Sequence, residues 1–195
     1  INLFAERMRR MFGMLNDLLH ETNENEFNKL FSRIEKYENI SDNMELEIAN
    51  YLNKVTEGRL SSESKLEIRG MLREVTEIES IGDSCYNLAR TINRKRSGGS
   101  DFTEKQYEHI HQMMQLTDDA LAHMIAIVED DHHVVDVNKS FNIENEINNY
   151  RAQLKNQNVV DVNNKEYDYQ MGVHYMDLIG ECEKLGDYVV NVVEA

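Results

Sequence analysis

There is no proline anywhere in the 195 residues. Proline interrupts helices more strongly than any other residue, so its absence fits long unbroken helices. Positive charge is scarce: 21 Lys and Arg face 36 Asp and Glu, for a formal net charge of −15. Such a surface repels a phosphate backbone, which argues against a nucleic-acid partner. The one basic run, Arg94-Lys95-Arg96, sits near the end of a helical segment, where cations suit the helix dipole. Cysteine is limited to Cys85 and Cys182, far apart in the chain, which argues against a disulfide framework and for a reduced, cytosolic compartment. No apolar run nears the roughly 18–20 residues that span a bilayer; the longest is Met124-Ile125-Ala126-Ile127-Val128. No signal peptide is visible.

Sites for catalysis are missing as well. There is no Gly-rich phosphate loop, no G-x-S-x-G elbow and no Cys-His constellation. His109, His111, His123, His132, His133 and His174 show no spacing with cysteine or with one another that suggests zinc. A ferritin-like di-iron site needs two Glu-x-x-His motifs on separate helices, and only Glu129 to His132 fits, in a predicted turn.

What the chain does contain is helical periodicity almost from end to end. The spacing predicts helices at about 2–22, 25–57, 62–96, 103–130, 137–160 and 165–195, an all-α chain of two tandem antiparallel three-helix bundles. Polar or turn residues mark the breaks, at Thr22-Asn23, Gly58 to Ser62, Asp130 to His133 and Asp161 to Asn164. Ser62 and Thr103 are candidate helix starts, the second with Gln106 in capping-box form. Ser97-Gly98-Gly99-Ser100 reads as a flexible linker at mid-chain. The expected organisation is a first repeat over 1–96, a linker over 97–102 and a second repeat over 103–195.

The internal repeat carries the reading furthest. Glu77-Ile78-Glu79-Ser80-Ile81-Gly82-Asp83 with Asn87 matches Glu181-Cys182-Glu183-Lys184-Leu185-Gly186-Asp187 with Asn191. Both spell E-x-E-x-φ-G-D-x-x-x-N, where φ is aliphatic. A weaker match precedes each: Glu38-Asn39-Ile40-Ser41-Asp42 against Glu144-Asn145-Glu146-Ile147-Asn148.

Positions four apart share a helix face, so Glu79 and Asp83 are neighbours, as are Glu183 and Asp187. Glu183 projects from an apolar stripe of Met176, Ile179, Gly186 and Val190, and Glu79 from one of Ile68, Val75, Gly82 and Tyr86. Glu38 and Glu45 flank the stripe of Phe27, Ile34, Ser41 and Leu52. If the second and third helices form a hairpin turning at Gly58–Ser61, Asp42 and Glu79 meet at similar height. Four or five carboxylates then converge, which repels unless a hard cation intervenes. In the second half Asn148 stands where Asp42 would be and Arg151 where Glu45 would be, so a salt bridge from Arg151 to Glu144 or Glu183 could replace the metal. Gly82 and Gly186, at matched helix-interior positions, point to close helix contact.

These twin elements resemble the PhoU family, over essentially the whole chain, with Glu79-Ser-Ile-Gly-Asp83 and Glu183-Lys-Leu-Gly-Asp187 as the most specific marks. The resemblance implies two three-helix bundles, regulation of phosphate uptake, and a cytoplasmic location. It also implies metal binding, in some members, by the motif acids. Carried over, the candidate ligands are Glu38, Asp42, Glu79, Asp83, Glu144, Glu183 and Asp187. Oxygen ligands of this kind suit a divalent or ferric ion, iron, manganese, magnesium or calcium, over zinc. The chain starts at Ile1 without an initiator methionine and stops at Ala195 inside a helical pattern. Both ends thus read as cut from a longer protein. Arg7, Arg9 and Arg10 open the chain as expected for a segment leaving the cytoplasmic face of a membrane. The expectation is a regulatory domain attached to a membrane-embedded sodium/phosphate cotransporter-type domain. A free-standing accessory of a phosphate ABC transporter and its sensor kinase is the alternative, and a metal-free helical adaptor a further one. A second copy of the chain is a candidate partner.

Overall fold

The computed structural model describes residues 1–130 and 135–195. These form six helices and no strand: α1 (Asn2–His20), α2 (Glu24–Thr56), α3 (Ser62–Ser97), α4 (Glu104–Glu129), α5 (Asn138–Asn163) and α6 (Tyr169–Glu194). The expected turn at Asp130–His133 falls largely outside the described residues, as do His132 and His133.

Local chemistry sets the helix ends. Asn23 caps α2 by accepting a hydrogen bond from the Glu26 amide, and Thr103 with Gln106 closes the expected capping box on α4. α3 starts at Ser62 as predicted, but its cap is one residue earlier, because Ser61 and not Ser62 accepts from the Ser64 amide. The start of α6 is later than predicted. Lys165 takes a positive φ of 59° in the turn, and Asp168 then caps the helix at the Met171 amide. At the end of α3, Gly98 caps the helix and Gly99 turns the chain with φ of 76°, a conformation that suits glycine.

The basic run is spent on the same turns. Arg96 donates from Nη1 to the Glu21 carbonyl at 2.8 Å and from Nη2 to the Thr22 carbonyl at 3.0 Å, closing the α1–α2 connection. Lys95 pairs with Asp101 at 2.6 Å. Two of the opening arginines are engaged within the fold: Arg7 lies 3.9 Å over the Tyr37 ring, and Arg9 forms a two-pronged pair with Asp118 of α4.

Each half is a three-helix bundle. α2 packs only against α1 and α3, and α5 only against α4 and α6; the halves join through α1 on α4 and, far more extensively, α3 on α6. One apolar core runs through both, with Met8, Leu15, Ile34 and Ile81 from the first half and Met113, Leu121, Ile147 and Leu185 from the second. The buried residues of α2 are the predicted stripe of Phe27, Ile34, Ser41 and Leu52.

At the matched glycines the helices come closest. A Cβ added to Gly82 would sit 2.9 Å from Met8 Sδ and 3.9 Å from Ser41 Cβ, and one on Gly186 would touch Ile147 Cδ1 at 3.4 Å. Ser41 and Ile147 hold corresponding places in α2 and α5. The first glycine therefore lets α1 and α2 approach α3 together, as the helix-contact reading expected.

Gly82→Val forces branched carbon into Met8 and Ser41 and should cost about 1–3 kcal/mol in denaturant unfolding. Gly13 has no atom within 4 Å of an added Cβ. Gly13→Ala should therefore gain up to about 1 kcal/mol from helix propensity alone. Equal effects at the two glycines would show that close packing at Gly82 is unimportant.

Candidate metal centre

The α2–α3 hairpin brings the first-half acids together as its register predicts. One carboxylate oxygen from each of Asp42, Glu79 and Asp83 lies within 4.8 Å of the other two. Glu38 faces Asp83 and Asp42 from one turn further along α2, and Glu45 stands on the opposite flank, close to Asp42 and Asp83. Among the described residues this is the one cluster of three or more acidic, histidine or cysteine side chains with metal-ligand spacing. Asp42 and Asp83 are exposed and Glu79 is half-buried, so the cluster opens to solvent along the groove between the two helices.

The electrostatics are those of an uncompensated site. Partial burial, then repulsion from Asp83 and Asp42, pushes the Glu38 carboxyl up to about 7, and Arg90 offsets this only in part. Glu79 is pushed further upward, first by burial and then by sharing protons with Asp42 and Asp83. Glu45 is raised by the same causes. Without a cation, Glu38 and Glu79 hold protons near neutral pH, and a bound cation would displace them. The donor set, all carboxylate and free of nitrogen and sulfur, fits a hard cation.

The second half is built on the same plan and has diverged. Glu144 faces Asp187, and its carboxyl is raised by burial and by that proximity. Asn148 replaces the third acid, hydrogen-bonds Glu144, and leaves its own buried Oδ1 without a protein partner. Arg151 Nε lies 2.7 Å from Glu183 Oε2, an ion pair without an aligned hydrogen bond. The guanidinium thus stands where a cation would stand in the first half. Of the seven candidate ligands, Glu38, Asp42, Glu79 and Asp83 converge; Glu144 and Asp187 face each other; Glu183 is taken by Arg151. The residues of the first half fit a metal ion, and those of the second fit it less well.

The outer residues of the repeated element have a separate job. Asn191 Nδ2 donates to Glu77 Oε2 at 3.1 Å, and Asn87 Nδ2 donates to Glu181 Oε1 at 3.3 Å. Each asparagine thus reaches the first glutamate of the other half, across antiparallel α3 and α6. The inner Glu, Gly and Asp build the acidic groove, and the outer Glu and Asn join the halves. The matched sequence held this signal, since both outer residues recur, but helix periodicity alone could not say which helix they face. Sequence spacing also missed a contact of His20 with His111, whose Nε2 atoms lie 2.6 Å apart between α1 and α4.

A family model described as the PhoU domain matches residues 1–92 and 110–195, once per half. No curated protein matches the sequence. Among solved structures, the crystal structure of the phosphate transport system regulatory protein PhoU from Streptococcus pneumoniae is similar, with a TM-score of 0.75. The two share 16% identity over 98% of this chain and 88% of that one, a likeness of fold.

The raised carboxyls set the pH response of the metal-free protein. Glu38 has an unfolded value of 4.5 and a folded value of about 7, so the folded state binds the extra proton and stability falls as pH rises between the two. In chelator, the melting temperature should drop from about pH 5 to about pH 8, and Glu38→Gln with Glu79→Gln should flatten that drop. A double variant with the same slope as the parent would show that the acids are fully solvated.

Proposed function

This chain belongs to the PhoU domain family, and on that footing we propose that it regulates phosphate transport through a metal-loaded acidic groove. The carrying observation is the match of both halves to the family, joined to a first-half groove whose carboxylates converge without a basic partner. The proposed role is regulatory, with the carboxylates of the groove as metal ligands.

Glu38, Asp42, Glu79 and Asp83 would hold the ion, which supplies charge neutralisation to a groove that otherwise repels itself. Glu45 stands beside them as a further oxygen donor. Glu144 and Asp187, with the carbonyl of Asn148, form a weaker twin. With Glu183 paired to Arg151, the second half follows the salt-bridge route.

Two partner arrangements fit a regulator of this kind. One is a membrane-embedded phosphate transporter domain in the same chain; the other is a phosphate ABC transporter and its sensor kinase met in trans. Among the described residues no helix is long and apolar enough to cross a membrane. The similar pneumococcal protein is called a phosphate transport system regulatory protein, which favours the second arrangement. Either arrangement places the groove on the cytoplasmic side. A metal-free helical adaptor is the competing reading, and metal content distinguishes it.

Protein purified without chelator should carry iron, manganese, magnesium or calcium by elemental analysis. Glu79→Gln with Asp83→Asn should remove most of it, whereas Glu183→Gln with Asp187→Asn should leave most in place. Equal losses in the two variants would defeat the asymmetry, and no metal in either variant or parent would support the adaptor. In the native host, removing the chain should change phosphate uptake at low or high external phosphate. Uptake unaltered at both would count against regulation.

A further inference from the structure

α1 and α4 cross where the two halves meet, and the crossing places two imidazoles face to face. His20 is the last residue of α1, His111 lies in the second turn of α4, and both are exposed. Their Nε2 atoms are 2.6 Å apart. At that distance two bare nitrogen lone pairs repel, so the pair needs either a shared proton or a cation between them. The helices run antiparallel, as the Arg9–Asp118 pair further along them shows. Asn16, one turn before His20, and Gln115, one turn after His111, therefore form the next layer, and all four line one open cleft of about 430 Å³. Gln115 donates its amide nitrogen to Asp119 at 2.9 Å, which leaves its carbonyl oxygen free to accept.

We propose that His20 and His111 form a two-imidazole site for a borderline divalent cation, Zn²⁺ or Ni²⁺, that clamps the first helix of one half to the first helix of the other. Imidazole nitrogen selects such ions, in contrast to the all-oxygen groove on α2 and α3. A tetrahedral ion with nitrogens at about 2.0–2.1 Å holds them about 3.3 Å apart, so the rings need separate by less than about 1 Å. Two positions remain for water or for the carbonyl oxygens of Asn16 and Gln115. The surrounding charges act in both directions: Lys95 disfavours positive charge at His20, while Asp101 and Asp17 favour it. Lys95 is tied to Asp101 and Arg9 to Asp118, while Asp17 also acts on His20. Burial, His111 and Lys95 together keep the His20 imidazole below its usual pKa, in the neutral form that ligates.

Calorimetric titration of the chelator-stripped full chain with ZnCl₂ tests this, alongside His20→Gln, His111→Gln and the groove variant Glu79→Gln with Asp83→Asn. The parent and the groove variant should bind Zn²⁺ alike, and each histidine variant should lose at least about tenfold in affinity. The side-chain nitrogen resonances of His20 and His111 should shift on Zn²⁺ addition. Both rings are exposed, so circular dichroism should show the variants fully helical. Zn²⁺ affinity unchanged in the histidine variants, lost in the groove variant, or absent in the parent at about millimolar Zn²⁺ overturns the site.

Discussion

The acidic groove exists because apolar packing holds like charges in place against their own repulsion. Phe27, Ile34, Ser41 and Leu52 fix α2 on α3, and the missing side chain of Gly82 lets Met8 and Ser41 settle against the helix just behind the acids. That contact decides the register, and the register decides that Asp42, Glu79 and Asp83 share one small volume. The raised carboxyls of Glu38 and Glu79 are the cost of the arrangement, carried by the core. A site of this kind is preorganised: the proposed cation would relieve repulsion that folding has already imposed, with no loop to order first.

The two halves show how one framework accommodates opposite solutions. Ile147 fills the place of Ser41, Asn148 that of Asp42 and Arg151 that of Glu45, while the backbone plan is unchanged. Arg151 brings a fixed positive charge to Glu183, where the first half leaves room for an exchangeable one. A fixed counterion gives constant structure; an exchangeable one makes structure depend on the ion supply. On the proposed metal reading, the first half would respond to its surroundings, and the second would hold its shape whatever those are.

The helices were legible because the apolar period of 3.6 is uninterrupted and the breaks carry their own chemistry, as at Asn23 and Thr103. Helix ends were less so: Ser61 against Ser62, and Asp168 against a start near 165, depend on which side chain finds an amide, which spacing cannot fix. The groove was legible because its four acids lie on two helices joined by a short turn, so counting residues from Gly58 gives their height. The Glu77–Asn191 and Asn87–Glu181 bonds and the His20–His111 contact were not, because each joins residues about a hundred positions apart through helix pairs with no turn to count from.

Those reciprocal bonds have a consequence for how the molecule behaves in a cell. Two separate copies of a single repeat could meet through the same antiparallel helices, but their pairing would weaken on dilution. Here both copies lie in one chain, so each asparagine finds its glutamate at an effective concentration that does not vary with expression. The geometry of the acidic groove is then the same whether the protein is scarce or abundant. Ion binding there, as proposed, would then follow the level of the ion and not the number of protein molecules.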